Sequence, residues 1–179
     1  MKKMKLGMEI ILISIIKLFI VYSFAAILGI ILYTFVAHFS FVVFKRYSFG
    51  LHASTSAVCT LMSFFLFVAV PLFANLFGLG IGHISVVLMF TGIIVVLICF
   101  APADTNARPL VGQSLRKKLK MKTIFCGVLM FTIALIIPDE SVKLMIVLGG
   151  TYQSVSVMPL TYKILGRSVR NYEKFELSK

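Results

Sequence analysis

The sequence predicts an all-α, polytopic integral membrane protein with about six helices that cross the bilayer fully or in part. Residues with apolar side chains make up 60% of the 179 residues, and the mean hydropathy is +1.04. Charged residues account for only 13% of the chain, whereas a soluble domain has about a quarter. Residues 47–103 contain no Lys, Arg, Asp or Glu, and this length suits two spans of about 20 residues each. We therefore expect one membrane domain over residues 1–179.

The N-terminal 44 residues leave two arrangements open. Residues 1–17 hold four lysines and are expected to form a basic amphipathic helix, and residues 18–44, the first membrane region, carry no charge. A single crossing would leave these lysines outside, against the positive-inside rule. Two tight crossings between residues 8 and 44 would keep them inside and give six spans, whereas a membrane-embedded N-terminal helix would give five. We favour six crossings or partial crossings.

Four further spans follow from the apolar runs and from the residues that interrupt them. Three glycines and Asn75 mark a turn between the first two of these spans, and Pro138 ends the third. The expected spans are residues 55–73, 84–100, 123–137 and 144–162. A basic loop over residues 104–122 and a basic tail over residues 163–179 complete the chain.

The basic segments set the expected orientation. Cytoplasmic loops carry an excess of Lys and Arg, so the loop and the tail are both expected in the cytoplasm, and the two spans between them agree. Counting back two spans from residue 104 puts residues 45–52 on the same side. The net charge of +12 also favours contact with anionic lipid. Nucleic-acid binding is not expected, because no segment combines a basic face with exposed aromatic residues.

The pair of His52 and Cys59 marks the start of an apolar run. On an unbroken helix, residues seven positions apart share a face but lie about 10 Å apart along the axis, too far for a hydrogen bond of about 3 Å. Gly50 permits a tight turn, and Ser54, Thr55 and Ser56 are candidate N-caps. With His52 on the turn and a helix starting near Ser54, Cys59 would lie about one turn into the helix, where the dipole favours the thiolate. The two side chains would then form a nucleophile–base pair.

The alternative is that these residues have ordinary roles, with Cys59 a small apolar filler and His52 an interface residue. Asp104 is a candidate to orient His52 as the third member of a triad, but a salt bridge to Arg108 or a loop cap is favoured. Ser56 is a candidate donor to an oxyanion, and the N-cap is favoured there too. No metal site is expected, because the cysteines lack CxxC spacing and no third ligand accompanies the other histidines.

Basic residues on the expected cytoplasmic side have two interpretations. By default they are a topology signal. The functional interpretation is a dock for the acidic tail of a peptide, while phosphate binding is not favoured because no glycine-rich loop is present. The candidate residues for the dock are Lys45, Arg46, Arg108, Arg116, Lys117 and Lys118.

Two motifs in the right order and at the right distance resemble the accessory gene regulator B (AgrB) family of membrane peptidases. The first motif consists of Lys45-Arg46, Gly50, His52-Ala53 and Cys59. The second consists of Ala101-Pro102-Ala103-Asp104-Thr105, then Pro109, then Arg116-Lys117-Lys118. The resemblance extends roughly from Lys5 to Glu173. One departure is Lys45, where the family leads us to expect Arg, so a bidentate contact there is in doubt.

The resemblance implies a function in bacterial quorum sensing and virulence regulation. The substrate would be a membrane-associated AgrD-like propeptide with an amphipathic leader, a pheromone segment and an acidic C-terminal tail. A cysteine endopeptidase in the cell membrane, with its active site on the cytoplasmic face, would remove the tail through a thioester on Cys59. A cysteine of the pheromone segment would then form a cyclic thiolactone, a step that needs no cofactor. The resemblance also favours a homodimer.

A competing hypothesis is a small non-enzymatic membrane protein, such as a transport or scaffold subunit. It predicts that Cys59 is buried, unreactive and replaceable. A pore is disfavoured, because the spans carry almost no polar residues to line one. A metal-dependent protease is disfavoured by the missing ligand cluster.

Overall fold

The computed structural model describes residues 2–51, 56–105, 109–169 and 171–176, with side chains except those of residues 2–12, 56, 174 and 175. The regular structure in these ranges is helical, which confirms the all-α class, and one isolated bridge joins Phe49 to Ala103. The α-helices are α1 (Lys2–Ile27), α2 (Ile31–Ser48), α3 (Ser56–Phe64), α4 (Val70–Leu76), α5 (His83–Phe100), α6 (Gln113–Ile136), α7 (Glu140–Val157), α8 (Pro159–Ile164) and α9 (Tyr172–Glu176).

Helices α1 and α2 form a hairpin within the segment for which two arrangements were open. The turn between them contains Gly29, whose φ of +70° favours glycine. Tyr22 and His38, eight residues on either side of the turn, meet at 3.1 Å between the Tyr hydroxyl and Nδ1. Lys17 and Lys45 therefore lie at similar heights along the two helices.

A short π-helix, Phe65–Ala69, joins α3 to α4. Pro71 follows it, and a proline inside a helix cannot donate to the carbonyl four residues earlier. That carbonyl belongs to Phe67, and the hydroxyl of Thr34 on α2 donates to it over 2.6 Å. The polar group that Pro71 leaves free is thus paired within the apolar interior.

Helix α6 begins earlier than the sequence suggested. We expected a loop as far as residue 122, but residues 113–122 form the first turns of the helix. The run is rich in Leu, Lys, Arg and Gln, all strong helix formers, and Gly112 starts it with a φ of +101°. The basic residues Arg116 to Lys122 therefore project from a rigid helix.

Helix α7 packs closely on α2. A Cβ atom added to Gly149 would lie only 2.5 Å from the carbonyl oxygen of Ala37. Ser40 on α2 donates to the carbonyl of Ile146, with 2.8 Å between the two oxygens. Small residues that allow such backbone approach are typical of helix contacts in membranes.

Within the described ranges, three helical segments have the length and apolar composition to cross a bilayer: Ala57–Leu76, His83–Phe100 and Gln113–Ile136. A shorter apolar helix covers Ile13–Ile27. Large apolar side chains also cover the outside of the bundle; Phe19, for example, is 74% exposed and Ile84 is 80% exposed. An apolar exterior of this kind fits a polytopic membrane protein.

Candidate functional site

The loop at residues 49–51 connects the two sequence motifs. Its Gly50 N–H donates to the carbonyl of Ala103 over 3.0 Å, and the Ala103 N–H donates to Ser48 over 2.9 Å. On the other side, the Leu51 N–H donates to the carbonyl of Ser156 at the end of α7, over 3.2 Å. The segment that leads into His52 is therefore held from both sides.

Gly50 is the residue that this geometry requires. Its φ is +96°, in the region that favours glycine. A Cβ atom at this position would lie 2.7 Å from the Ser156 hydroxyl and 3.0 Å from its carbonyl oxygen. The expected tight turn at Gly50 thus coincides with a close contact against α7.

Gln153 on α7 is a buried residue of this site that the sequence did not reveal. Its Nε2 donates to the carbonyl oxygen of Phe49 over 2.6 Å and contacts the Ser48 hydroxyl at 2.7 Å. These hydrogen bonds give partners to the Phe49 carbonyl and the Ser48 hydroxyl at the end of α2, where the chain reverses direction. The available signal was a lone amide inside the apolar span 144–162.

Lys45, in the last turn of α2 past its apolar part, supports the same loop. Its ammonium donates to the carbonyl oxygen of Leu51 over 2.9 Å. Burial lowers the pKa of Lys45 to about 8. A negative charge on Cys59 acts against this shift, whereas the positive charge of Lys17 adds to it. Arg46 is exposed, with its guanidinium 5.9 Å from the Tyr47 ring.

Cys59 lies in the first turn of α3 as described, and its side chain is half-buried. The ammonium nitrogen of Lys17 on α1 lies 3.8 Å from its sulfur. A neighbouring ammonium favours the thiolate form of a cysteine. Lys17 was not among the predicted site residues, although it is the only charged residue in segment 10–44.

Three of the predicted site features lie outside the described part of the chain. They are His52, Arg108 and the side chain of Ser56. The pairing of His52 with Cys59, the oxyanion role of Ser56 and the Asp104–Arg108 salt bridge therefore stay predictions.

Asp104 is buried and caps the C-terminal segment. Its two carboxylate oxygens accept hydrogen bonds from the backbone N–H groups of Asn171, over 3.0 Å, and Tyr172, over 2.7 Å. The hydroxyl of Tyr162 donates to the Asp104 carbonyl over 2.9 Å. These contacts tie the second motif to the chain beyond α8, and the predicted role in orienting His52 is untested.

A cavity of about 600 Å³ opens between the second motif, the start of α6 and the C-terminal segment. Its apolar floor includes Ala101, Pro102 and Val157. Three cationic side chains line it: Arg116, Lys117 and Lys120. Lys118 is exposed and does not line the cavity. The basic run thus divides between the cavity and the surface.

The chain's own Glu176 pairs with Arg116, one of the residues that line this cavity. Its carboxylate accepts from Arg116 over 2.7 Å and from the Gly112 N–H over 3.0 Å. The guanidinium also stacks 3.9 Å from the centre of the Tyr172 ring. The hydrogen bond from Arg116, with that from Gly112, lowers the pKa of Glu176. Arg116 is therefore able to bind a carboxylate.

Together, the fold and the site define a small polytopic α-helical membrane protein with a half-buried cysteine beside a lysine and a separate basic cavity. The sequence profile named Accessory gene regulator B matches residues 1–157. The chain belongs to this family, and membership supports a role in the accessory gene regulator quorum-sensing system.

Curated relatives agree with this assignment. A Putative AgrB-like protein of Listeria innocua serovar 6a is 43% identical over 175 residues, which cover 97% of this chain and 84% of the relative. One from Clostridium acetobutylicum is 41% identical over 174 residues, covering 97% and 82%. Accessory gene regulator protein B of Staphylococcus intermedius is 32% identical over 158 residues, covering 88% and 82%. No solved structure gives a significant match.

Proposed function

We propose that the protein is a membrane-embedded cysteine endopeptidase that removes the acidic C-terminal tail of an AgrD-like propeptide and leaves a cyclic thiolactone pheromone. The observation that carries this proposal is the clamped loop at residues 49–51. It leads directly into His52 and precedes the helix on which Cys59 lies. A rigid approach to the base and a nucleophile in the first turn of a helix suit acyl transfer.

In the first step, His52 takes the proton of Cys59, and the thiolate attacks the carbonyl carbon of the peptide bond that precedes the tail. The C–N bond breaks, and the departing amine takes the proton from His52. The pheromone segment remains as a thioester on Cys59. The tail, now a free peptide, leaves.

In the second step, a cysteine thiol of the pheromone segment attacks the thioester carbonyl. Its proton passes to His52, and the bond between the acyl carbon and the sulfur of Cys59 breaks, so that Cys59 leaves as the thiolate. One thioester is exchanged for another, so no cofactor and no energy source are required. The site must exclude water, since hydrolysis would release a linear peptide. A cysteine at the edge of an apolar span supports that requirement.

The basic cavity suits the acidic tail of the substrate. Arg116, Lys117 and Lys120 line it, and positive charge there would attract and retain carboxylates. We assign this cavity and the active site to the cytoplasmic face, on the basis of the basic residues in segments 104–122 and 163–179. The propeptide would then lie with its leader in the membrane and its tail in the cavity.

The proposal is tested by cleavage of a synthetic propeptide by the full-length protein in lipid vesicles, followed by mass spectrometry. We expect Cys59→Ala to abolish cleavage and His52→Gln to reduce it by at least about a hundredfold. Cys126→Ala is the matched control, since Cys126 is buried in α6, and it should retain cleavage. Full cleavage by the Cys59→Ala protein would refute Cys59 as the nucleophile, and absence of cleavage by the parent would favour the non-enzymatic alternative.

A further inference from the structure

The contact between Lys17 on α1 and Cys59 on α3 joins residues 42 positions apart, with 3.8 Å between Nζ and Sγ. We propose that Lys17 is a catalytic residue whose ammonium group pairs with the Cys59 thiolate, so that the N-terminal helix completes the nucleophile site. Its role in peptide cleavage rests on the proposed function above. The ion pair itself does not, and it is tested separately.

The position of Lys17 favours a counter-charge. It is half-buried in an otherwise uncharged stretch of α1, and a buried ammonium is costly unless it is paired. Among the described side chains, no carboxylate forms a salt bridge with it; the salt bridge found there joins Arg116 and Glu176. The thiolate of Cys59 would supply the missing negative charge.

The neighbouring contacts hold α1 where the pair can form. The Phe24 ring meets Phe64 of α3 edge-on, with 5.2 Å between the centroids. Tyr22 contacts His38 of α2, and Val21 is buried in an apolar cluster with residues of the neighbouring helices. Lys17 lies one turn before Val21 on α1. The packing of α1 against α2 and α3 therefore places the Lys17 side chain beside Cys59.

Lys17 approaches the sulfur from α1, with 3.8 Å between Nζ and Sγ. Lys45 on α2 interacts electrostatically with Cys59, and its ammonium donates to the carbonyl oxygen of Leu51. Among the described side chains, the ammonium found in contact with the sulfur is therefore that of Lys17. His52, the predicted base, would add to these charges only while it holds a proton.

This pairing has a consequence for both chemical steps. The thioester on Cys59 carries no charge, so the ion pair is lost on acylation and regained when Cys59 leaves. When the thiol of the pheromone segment attacks, the electron pair of the breaking C–S bond goes to the sulfur of Cys59. Lys17 stabilises this charge as it develops and thereby favours departure of the enzyme cysteine.

The ion pair is tested by the rate at which Cys59 reacts with iodoacetamide, a neutral reagent whose approach does not depend on surface charge. The full-length protein in lipid vesicles carries Cys99→Ala and Cys126→Ala, so that one thiol reports. The test variants are Lys17→Met and Lys17→Arg. Lys163→Met, which removes an exposed lysine of α8, is the matched control for lost charge.

We expect Lys17→Met to slow alkylation by about threefold or more at pH 7, because loss of the neighbouring ammonium disfavours the reactive thiolate, an effect that a more nucleophilic thiolate offsets only in part. Near pH 10, where the thiolate dominates, the variant should react as fast as the parent or faster. Lys17→Arg should stay close to the parent throughout. This crossover separates an electrostatic effect from changed access, which would alter the rate by one factor at every pH.

Two outcomes overturn the proposal. One is an unchanged rate in Lys17→Met at every pH, and the other is a decrease by the same factor from pH 6 to pH 10. The propeptide assay distinguishes this failure from failure of the proposed function. If Cys59→Ala still cleaves while the crossover is present, the ion pair stands and the assignment of Cys59 as the nucleophile falls. If cleavage depends on Cys59 but no crossover appears, only the role of Lys17 is wrong.

Discussion

The ammonium group of Lys45 donates a hydrogen bond to the carbonyl oxygen of Leu51, with 2.9 Å between the two atoms. This bond closes the chain reversal that follows α2 and fixes the residue immediately before His52. A lysine makes such a contact as a point charge, whereas an arginine would present a planar fork. The departure from the expected arginine at position 45 is therefore compatible with support of the loop.

Replacing Lys45 by Met should lower the kcat/KM of propeptide cleavage by at least about tenfold, since a hydrogen bond from a charged group contributes about 1.5–3 kcal/mol. Lys45→Arg should retain more activity, because it keeps the charge and a donor. The measurement is steady-state cleavage in lipid vesicles, with Lys163→Met as the control. A Lys45→Met protein as active as the control would show that the loop does not need this bond.

The lowered pKa of Lys45 predicts a pH dependence of stability. Its pKa is about 8 in the folded protein and 10.5 for an ordinary lysine. Between these values the unfolded chain binds more protons at this residue than the folded one, so its contribution makes the free energy of unfolding rise with pH. Thermal unfolding in detergent should show a steeper rise from pH 8 to 10.5 for the parent than for Lys45→Met. Parallel curves would contradict the buried charge.

Neutralising the basic run tests the cavity as the dock for the acidic tail. The triple change of Arg116, Lys117 and Lys120 to Gln should raise KM more than it lowers kcat, because it removes attraction for the substrate and leaves the reacting groups in place. The parent's KM should rise with salt more steeply than the variant's. A triple change at Lys163, Arg167 and Lys174 serves as a control with equal loss of charge. An effect confined to kcat would argue against docking.

Gly50 and Gly29 offer a matched pair for the role of the clamped loop. Both have positive φ, +96° and +70°, but only Gly50 has atoms within 4 Å of an added Cβ. Gly29→Ala should therefore cost about 1 kcal/mol of backbone strain. Gly50→Ala should lose more stability and most of the cleavage activity, since Ser156 must shift. If the two substitutions had equal effects on thermal unfolding and on cleavage, the close contact between Gly50 and Ser156 would not be what the loop requires.

The α2–α7 contact predicts a similar contrast between Gly149 and Gly92. A Cβ at Gly149 meets the backbone of α2, whereas one at Gly92 in α5 meets nothing within 4 Å. Gly149→Ala should destabilise the protein by about 1–3 kcal/mol, and Gly92→Ala should be neutral or stabilise it by up to about 1 kcal/mol. Melting temperatures in detergent measure both. A tolerated Gly149→Ala would mean that the two helices can separate without loss.

Much of the fold could be predicted from periodicity and composition, because the positions of apolar side chains and the absence of charges are read directly from the sequence. They predicted the all-α class, a turn within residues 74–83 and the end of a helix at Pro138. They did not predict the start of α6 at Gln113. A run of lysines and arginines is equally compatible with a loop and with the exposed face of a helix. Charge alone therefore could not distinguish a loop from a helix over residues 113–122.

By itself, the sequence determined the membrane class, the candidate nucleophile Cys59 and the two motifs that resemble the AgrB family. Only the tertiary structure decided which side chains meet those motifs. Lys17 approaches Cys59, and Gln153 reaches Phe49 across 104 positions. Such contacts depend on how whole helices pack, through close backbone approach at residues such as Gly149. Packing depends on pairs of helix surfaces that are far apart in the sequence, and no local sequence pattern predicts which surfaces meet.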